Sequence, residues 1–241
     1  MSTAFSASSL TRGTAYSFSD FALTNETVSV STGAVVPVFI DQADLAQCQY
    51  VSQMELADRQ AALLNEQIET GILDDHATWT NLGLTGADIV SGSTGAITVS
   101  ATNIDDIVRA VRRVVNAANG LELAKKNGLF IVWRAADFEH LEAFAQANGF
   151  NLADQALKNG VETGFYFMGC FHYISTSHAA GHLFAGVRKI QKLGILKSTY
   201  GQIKITQDPN LQSGIGMISR VDFGTLNPTG LITLLYDVNV A

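Results

Sequence analysis

Apolar residues recur at steps of three and four from Leu45 through Cys48, Val51, Met54, Ala57, Ala61 and Leu64 to Ile68. That period predicts a helix over 44–73. Gln47, Glu55, Arg59, Glu66 and Glu69 cover its other faces, Asp44 stands at the cap position and Gly71 marks the end. At 1.5 Å per residue such a rod is roughly 45 Å long. It reads either as a long core helix or as the spine of an extended subunit. Upstream, Val28 and Val30 alternate with polar neighbours, Thr32-Gly33 offers a turn, and Ala34 to Ile40 runs apolar. This predicts a hairpin over 26–40. Pro37 lacks the N–H that a central strand donates, so the hairpin belongs at an edge or stands as a free ribbon. A lone hairpin is marginally stable in water and needs a surface to lie on. Residues 1–20 are rich in Ser, Thr and Ala, with Phe5, Tyr16 and Phe18 spaced along them, and read as an extended arm.

Downstream the period alternates between helix and strand. Residues 76–95, with Gly83, Gly86, Gly92 and Gly95, read as loop, and 96–100 as a short strand. Ile104, Ile107, Val108, Val111, Val114 and Val115 form the buried stripe of a helix over 103–118, with Thr102 as cap, Asp105 at the capping-box position and Asn119-Gly120 as the stop. Leu129 to Trp133 is a buried strand, followed by a helix over 136–147 that turns Phe138, Leu141 and Phe144 inward. Residues 164–175 read as one long strand, and 179–193 as a helix carrying Leu183, Phe184, Val187, Ile190 and Leu193. Strands follow at 202–206, 215–223 and 231–240. The class is mixed α+β with non-local strand pairing.

Composition narrows the function. Only 15 % of residues are charged, against about 25 % in an average soluble domain. The mean hydropathy is +0.17, yet no stretch approaches the ~18 consecutive apolar residues of a membrane helix. A chain of this kind buries surface against partners. Its net charge of −7 argues against a basic nucleic-acid-binding domain. Residues 1–120 hold 13 acidic and 5 basic groups, residues 121–241 hold 9 and 10, and the first lysine is Lys125. Cys48 and Cys170 fit neither a disulfide framework nor a zinc motif, which suits a reducing compartment. Met1 to Arg12 has neither the positive lead nor the apolar run of a signal peptide.

Candidate chemistry is sparse. His172, His178 and His182 are three of the five histidines, and His178 and His182 at i, i+4 can share a helix face as a metal pair. A zincin, however, has a glutamate directly after its first histidine, where this chain has Ala179, and no carboxylate occurs between Glu162 and Asp208. Packing or capping histidines are the plainer reading. Cys170 and His172 point to one face of a strand, as a nucleophile pair needs, but their segment is so apolar that a buried, inert thiol is expected. Gly214 to Ser219 is a broken GxGxxG followed by a strand instead of a helix, so the dinucleotide reading fails. Neither a phosphate loop nor a nucleophile elbow is present. Arg188, Lys189, Lys192, Lys197 and Lys204 form a basic stretch that is either a solvated face, a contact to an acidic neighbour or a phosphate-facing surface. Asp105, Asp106, Arg109, Arg112 and Arg113 read as ion pairs along one helix.

Arm, hairpin, long helix and compact α+β half, in this order, resemble the major capsid proteins of tailed bacteriophages, whose fold is shared by encapsulin shells and the herpesvirus capsid floor. Leu129 to Trp133 followed by Asp137-Phe138-Glu139-His140-Leu141 resembles the axial strand and helix of that family. Gly169 to Ser175 resembles its G-x-x-x-Y-x-S strand, and Ser219 to Gly224 with Gly230 to Leu235 its closing strands. The resemblance implies an N-terminal arm at 1–20, an extended hairpin loop at 21–43 and a peripheral domain at 44–100 with the spine helix at 44–73. An axial domain at 101–215 and strands returning to the peripheral domain at 216–241 complete it. It implies a viral structural protein whose hexamers and pentamers tile an icosahedral shell around double-stranded DNA, which is contacted non-specifically. Such a chain is located in the virion capsid, is assembled in the host cytoplasm, and has no membrane contact, cofactor, metal or catalytic residue. Scaffolding, decoration and portal proteins are possible partners, and scaffolding is expected from a separate protein. Residues 21–43 hold no lysine, so the hairpin crosslink of some family members is not expected. Two alternatives remain: an encapsulin-like cellular shell enclosing a cargo enzyme, and a small metal-dependent enzyme built on His172, His178 and His182.

Overall fold

The computed structural model describes residues 26–41, 53–85, 88–91, 95–118, 120–148, 164–177, 179–198, 202–206, 214–228 and 231–241. The expected arm, the start of the long helix, Cys48 and His178 lie outside the described residues. Two sheets organise the described residues. The first holds β1 (Thr32–Asp41), β8 (Lys192–Ile195), β9 (Gln202–Thr206) and β10 (Gly214–Leu226). β1 runs antiparallel to β10 from Thr32↔Phe223 to Asp41↔Gly214, while β9 and β8 pair with successive parts of β10. Pro37 therefore sits on an edge strand, where its missing N–H costs no ladder bond.

The hairpin expected over 26–40 is not formed. Thr32-Gly33 lies inside β1 instead of turning, and residues 26–31 are not a strand. The partner of β1 comes from the far end of the chain. Residues 28–30 instead pass over β10, so close that a Cβ on Gly224 would collide with the Ser29 carbonyl. Only glycine permits that crossing.

The helix α1 (Gln53–Asp74) packs on this sheet and continues into a 3₁₀ turn at Asp75–Thr78, past the expected stop at Gly71. Its buried residues among those described are Gln60, Leu64 and Ile68, at steps of four, and Leu73, which joins the main core, while Ala61 is exposed. Leu64 and Ile68 meet Val221 and Phe223, with Ala34, Val36 and Ile72 around them. Gln60 occupies an inward position by satisfying strand groups. Its Nε2 donates to the carbonyls of Val36 (3.0 Å) and Met217 (3.2 Å), and its Oε1 accepts from Ser219 Oγ (2.9 Å). One amide thus fastens α1 to β1 and β10, as a buried polar group must be fastened.

The second sheet has seven strands in the order β3-β2-β11-β7-β4-β6-β5. They are β2 (Thr80–Thr85), β3 (Asp88–Ser91), β4 (Leu129–Trp133), β5 (Gly164–Phe167), β6 (Cys170–Ile174), β7 (His182–Val187) and β11 (Leu235–Asn239). Helices α2 (Ile104–Ala117), α3 (Leu121–Asn127) and α4 (Ala135–Ala147) accompany it. Ile104, Ile107, Val108, Val111 and Val115 join Ile131, Trp133, Leu183, Phe184 and Tyr236 in the main core.

Several expectations are corrected. Residues 179–193 are not a helix: they form β7, a turn, and the start of β8. The strand expected over 164–175 is a hairpin, turned at Met168 (φ 48°) and Gly169 (φ 80°), with Phe167↔Cys170 closing it. Two successive left-handed residues give the twist that a tight hairpin needs. The stretch 76–95 contains the 3₁₀ turn, β2 and β3, and only Ile97 of 96–100 bridges, to Val240. The cap position of α2 is Asn103, not Thr102. The Asn103 side chain accepts from the Ser100 amide (2.9 Å) and donates to the Thr98 carbonyl (2.8 Å). A 3₁₀ turn at Ile232–Leu234 precedes the last strand.

Replacing Gln60 by alanine strands the Ser219 hydroxyl and unfastens α1 from both strands. The expected loss is about 1–3 kcal/mol. It will appear as a lower denaturant midpoint at unchanged slope.

Candidate assembly surface

The alternation along β1 and β10 gives the first sheet two unlike faces. Val36 and its partner Ser219 face α1, and Ala34 and its partner Val221 do the same. The opposite face carries Val35 and Phe39, which are 50 % and 47 % exposed, with Pro37, Ile218 and Arg220 between and beside them. Nothing among the described residues covers this apolar row. α1 also leaves Glu55, Asp58, Arg59, Leu63, Glu66 and Glu69 outward. An apolar ribbon beside an acidic helix face is a surface suited to burial against another chain.

The basic stretch lies at the joint of the two sheets. Arg188 and Lys189 form the turn between β7 and β8, with Lys189 in the left-handed region (φ 63°). The Arg188 guanidinium stacks 4.2 Å from the centre of the Phe171 ring. Lys192 Nζ donates to the Lys189 carbonyl at 3.1 Å, and Lys197 is exposed. Lys204 is in β9, and its side chain lies outside the described residues. Gln191 Nε2 donates to the Ile72 carbonyl (3.3 Å) and to Asp75 Oδ2 (3.1 Å), tying this turn to the end of α1. A groove of about 350 Å³ runs beside it, lined by Ile72, Phe130, Tyr173, Lys189, Lys192 and Leu235. The five cations therefore do not share a helix face. They are spread over two turns and two strands. On α2, Arg109 Nη2 reaches both Asp105 and Asp106 at 2.6 Å, the helix-supporting ion pairs expected there.

The histidines separate. His172 is fully buried on β6, where its Nδ1 accepts from Trp133 Nε1 (2.8 Å) and its Nε2 donates to the Phe167 carbonyl (3.0 Å). Burial holds its pKa down at about 4. Burial also pushes the Cys170 thiol up to about 11, against the pull of Arg112. The pair shares one face, but the thiol is protonated and the imidazole is occupied at both nitrogens, so no nucleophile forms. His182 begins a strand, not a helix turn. It meets a carboxylate that spacing along the sequence does not reveal. Its Nδ1 lies 2.8 Å and 3.0 Å from the two oxygens of Asp237 on β11, and His76 Nδ1, from the 3₁₀ turn, lies 3.2 Å from the same carboxylate. The His76 and His182 rings are 4.4 Å apart. Only the parallel pairing of β11 with β2 and its antiparallel pairing with β7 bring these three residues together.

An edge ribbon packed on a long helix, joined to a helix-covered mixed sheet, is the α+β fold of tailed-phage capsid subunits. Solved structures carry it over nearly the whole chain. One from Mycobacterium phage Che8 superposes with a TM-score of 0.65 at 14 % identity, covering 93 % of this chain and 76 % of that one. The capsid of an empty GTA particle gives 0.59 at 14 % identity, covering 98 % and 81 %. A virus-like particle from Pyrococcus furiosus gives 0.51 at 8 % identity, covering 86 % and 76 %. At these identities the likeness is one of fold. No protein-family model matches the chain, and no curated protein matches it by sequence.

The His172 site sets a pH dependence. A histidine whose folded pKa lies below its unfolded 6.5 contributes stability that is present in full above pH 6.5 and is lost as pH falls toward 4. Wild type is expected to lose about 3 kcal/mol from this group across that window. His172→Gln keeps one acceptor and one donor but does not titrate. Its thermal midpoint should fall less steeply than that of wild type between pH 6.5 and 4.

Proposed function

We propose that this chain is the major capsid protein of a tailed-phage-like particle and self-assembles into an icosahedral shell. The observation that carries this reading is the fold itself. It is held over 93 % and 98 % of the chain in common with the Che8 chain and the GTA capsid. The uncovered apolar ribbon and the scarcity of charge support it independently.

In this reading β1 with the preceding segment is the extended loop, α1 is the spine, and the first sheet belongs to the peripheral domain. The α2–α4 half gathers around the capsomer centre as the axial domain. Hexamers and pentamers tile the shell, double-stranded DNA fills it, and scaffolding, portal and decoration proteins join where required. The mechanism is burial of surface, not bond chemistry. Permanent contacts of this kind are large and apolar, and the exposed Val35–Phe39 face offers an apolar part of one. The virion capsid is the proposed location, and no helix among the described residues is long and apolar enough to cross a membrane. The second reading is a cellular shell around a protein cargo, favoured only by the likeness to the Pyrococcus virus-like particle. Among the described residues the metal-enzyme reading loses its trio, because His172 and His182 engage different partners.

Electron microscopy of the purified protein is expected to reveal closed shells or capsomers, and a monomer at micromolar concentration would overturn the proposal. Extraction of native particles distinguishes packaged DNA from a cargo protein. The double substitution Val35→Glu, Phe39→Glu leaves the core side of β1 intact. It should give a folded subunit, judged by circular dichroism, whose assembly is weakened roughly tenfold or more, the effect of losing at least about 1.4 kcal/mol per contact. Shells formed as readily as by wild type would remove the ribbon from the interface.

A further inference from the structure

The His76–Asp237–His182 cluster goes beyond the shell reading and does not depend on it. Asp237 is 5 % exposed, while His76 and His182 are 18 % and 27 % exposed, so the cluster opens outward from a buried carboxylate. The three come from the turn after α1, from β7 and from β11, far apart in the chain. One donor atom from each residue lies within 4.8 Å of the others.

The spacing matches a metal ion's demands. Zinc bonds to His nitrogen and carboxylate oxygen run about 2.0–2.2 Å, so tetrahedral ligands stand about 3.3 Å apart. The His76 nitrogen is 3.2 Å from one Asp237 oxygen, and the His182 nitrogen is 2.8 Å and 3.0 Å from the two. The two rings, 4.4 Å apart and tilted by 44°, need only a small opening to present their nitrogens to a common point. The donor set of two imidazoles and a carboxylate suits Zn²⁺ and its first-row neighbours better than Ca²⁺ or Mg²⁺, which favour oxygen shells. The partly exposed imidazoles leave a side from which water completes the coordination.

We propose that His76, His182 and Asp237 form a binding site for a divalent transition-metal ion of the zinc class. The ion pins the end of the spine helix to the two central strands of the second sheet. Its role is mechanical. It crosslinks three segments otherwise joined here by hydrogen bonds, strand pairing and ring contacts such as His76 on Phe184, and it acts at the joint between the helix and the sheet. Metal entry at Nδ1 requires each neutral imidazole to carry its one proton on Nε2, so the Nδ1 proton moves to Nε2 through solvent and each histidine binds as a neutral ligand with no net proton released.

The test uses the untagged full chain, stripped with chelator and then titrated. Zn²⁺ is followed by calorimetry, and Co²⁺ by the visible absorption of tetrahedral cobalt. One ion per chain is expected, with a thermal midpoint that rises on zinc addition. His76→Ala and His182→Ala should each weaken binding about tenfold or more and abolish the cobalt band. Asp237→Asn keeps the shape of the buried group and should do the same. His140→Ala, on α4 and outside the cluster, should bind as wild type does. Failure to reach saturation near one ion per chain, or equal uptake by wild type and the His76 and His182 variants, would overturn the proposal. The cluster would then be a hydrogen-bonded clamp alone.

Discussion

The last strands of the chain hold both sheets together. Among the described residues β10 is the only strand that pairs with β1, β8 and β9, and β11 stands between β2 and β7 within the second sheet. Neither sheet is complete until residues 214–239 arrive. β1 waits for a partner roughly 170–190 positions away, from Asp41↔Gly214 to Thr32↔Phe223. The loop-closure entropy of such pairing must be met before its contacts return anything, which makes the topology slow to form and cooperative once formed.

That constraint explains where the polar residues inside the protein sit. Gln60 fastens α1 to the β1–β10 ribbon, Gln191 fastens the β7–β8 turn to the end of α1, and Asp237 receives His76 and His182 across β11. Each lies at a seam between segments distant in sequence. Apolar contacts supply the bulk of the burial but tolerate small shifts. A buried amide or carboxylate with two or three named partners does not, because a slip leaves it unsatisfied. These groups therefore set register at the junctions where the two sheets and the helix meet.

Much of this architecture is legible in the sequence. The Ile104–Val115 stripe, the Leu129–Trp133 strand and the edge placement of Pro37 follow from period and chemistry alone. The failures have physical causes. β7 is buried between β11 and β4, so Leu183, Phe184, Ala185 and Val187 show no alternation and their spacing also fits a helix. Gly181 and Gly186 in that stretch were the signal against one. The 26–40 segment looks like a hairpin because local pattern carries no information about a partner at 214–223. The same blindness hid the His–Asp–His cluster. A search for carboxylates near His182 along the chain ends at Asp208, whereas the ligand in space is Asp237.

The two-faced first sheet gives the low charge its meaning. Among the described residues a single helix covers one side of β1 and β10, and residues 28–30 cross the other side near Gly224. Val35, Pro37, Phe39 and Ile218 remain as a continuous apolar row on an edge strand. Edge strands of free-standing proteins are blunted by charge, shortness or cover, and β1 is ten residues long with proline as its main defence. Proline blocks a further strand from adding to the ladder but does nothing to hide the face. The ribbon is thus protected against edge-to-edge pairing while its face is left open to packing. That combination suits a surface that meets a neighbour in one defined way, and it accounts for a chain with few charges to spare for open solvent.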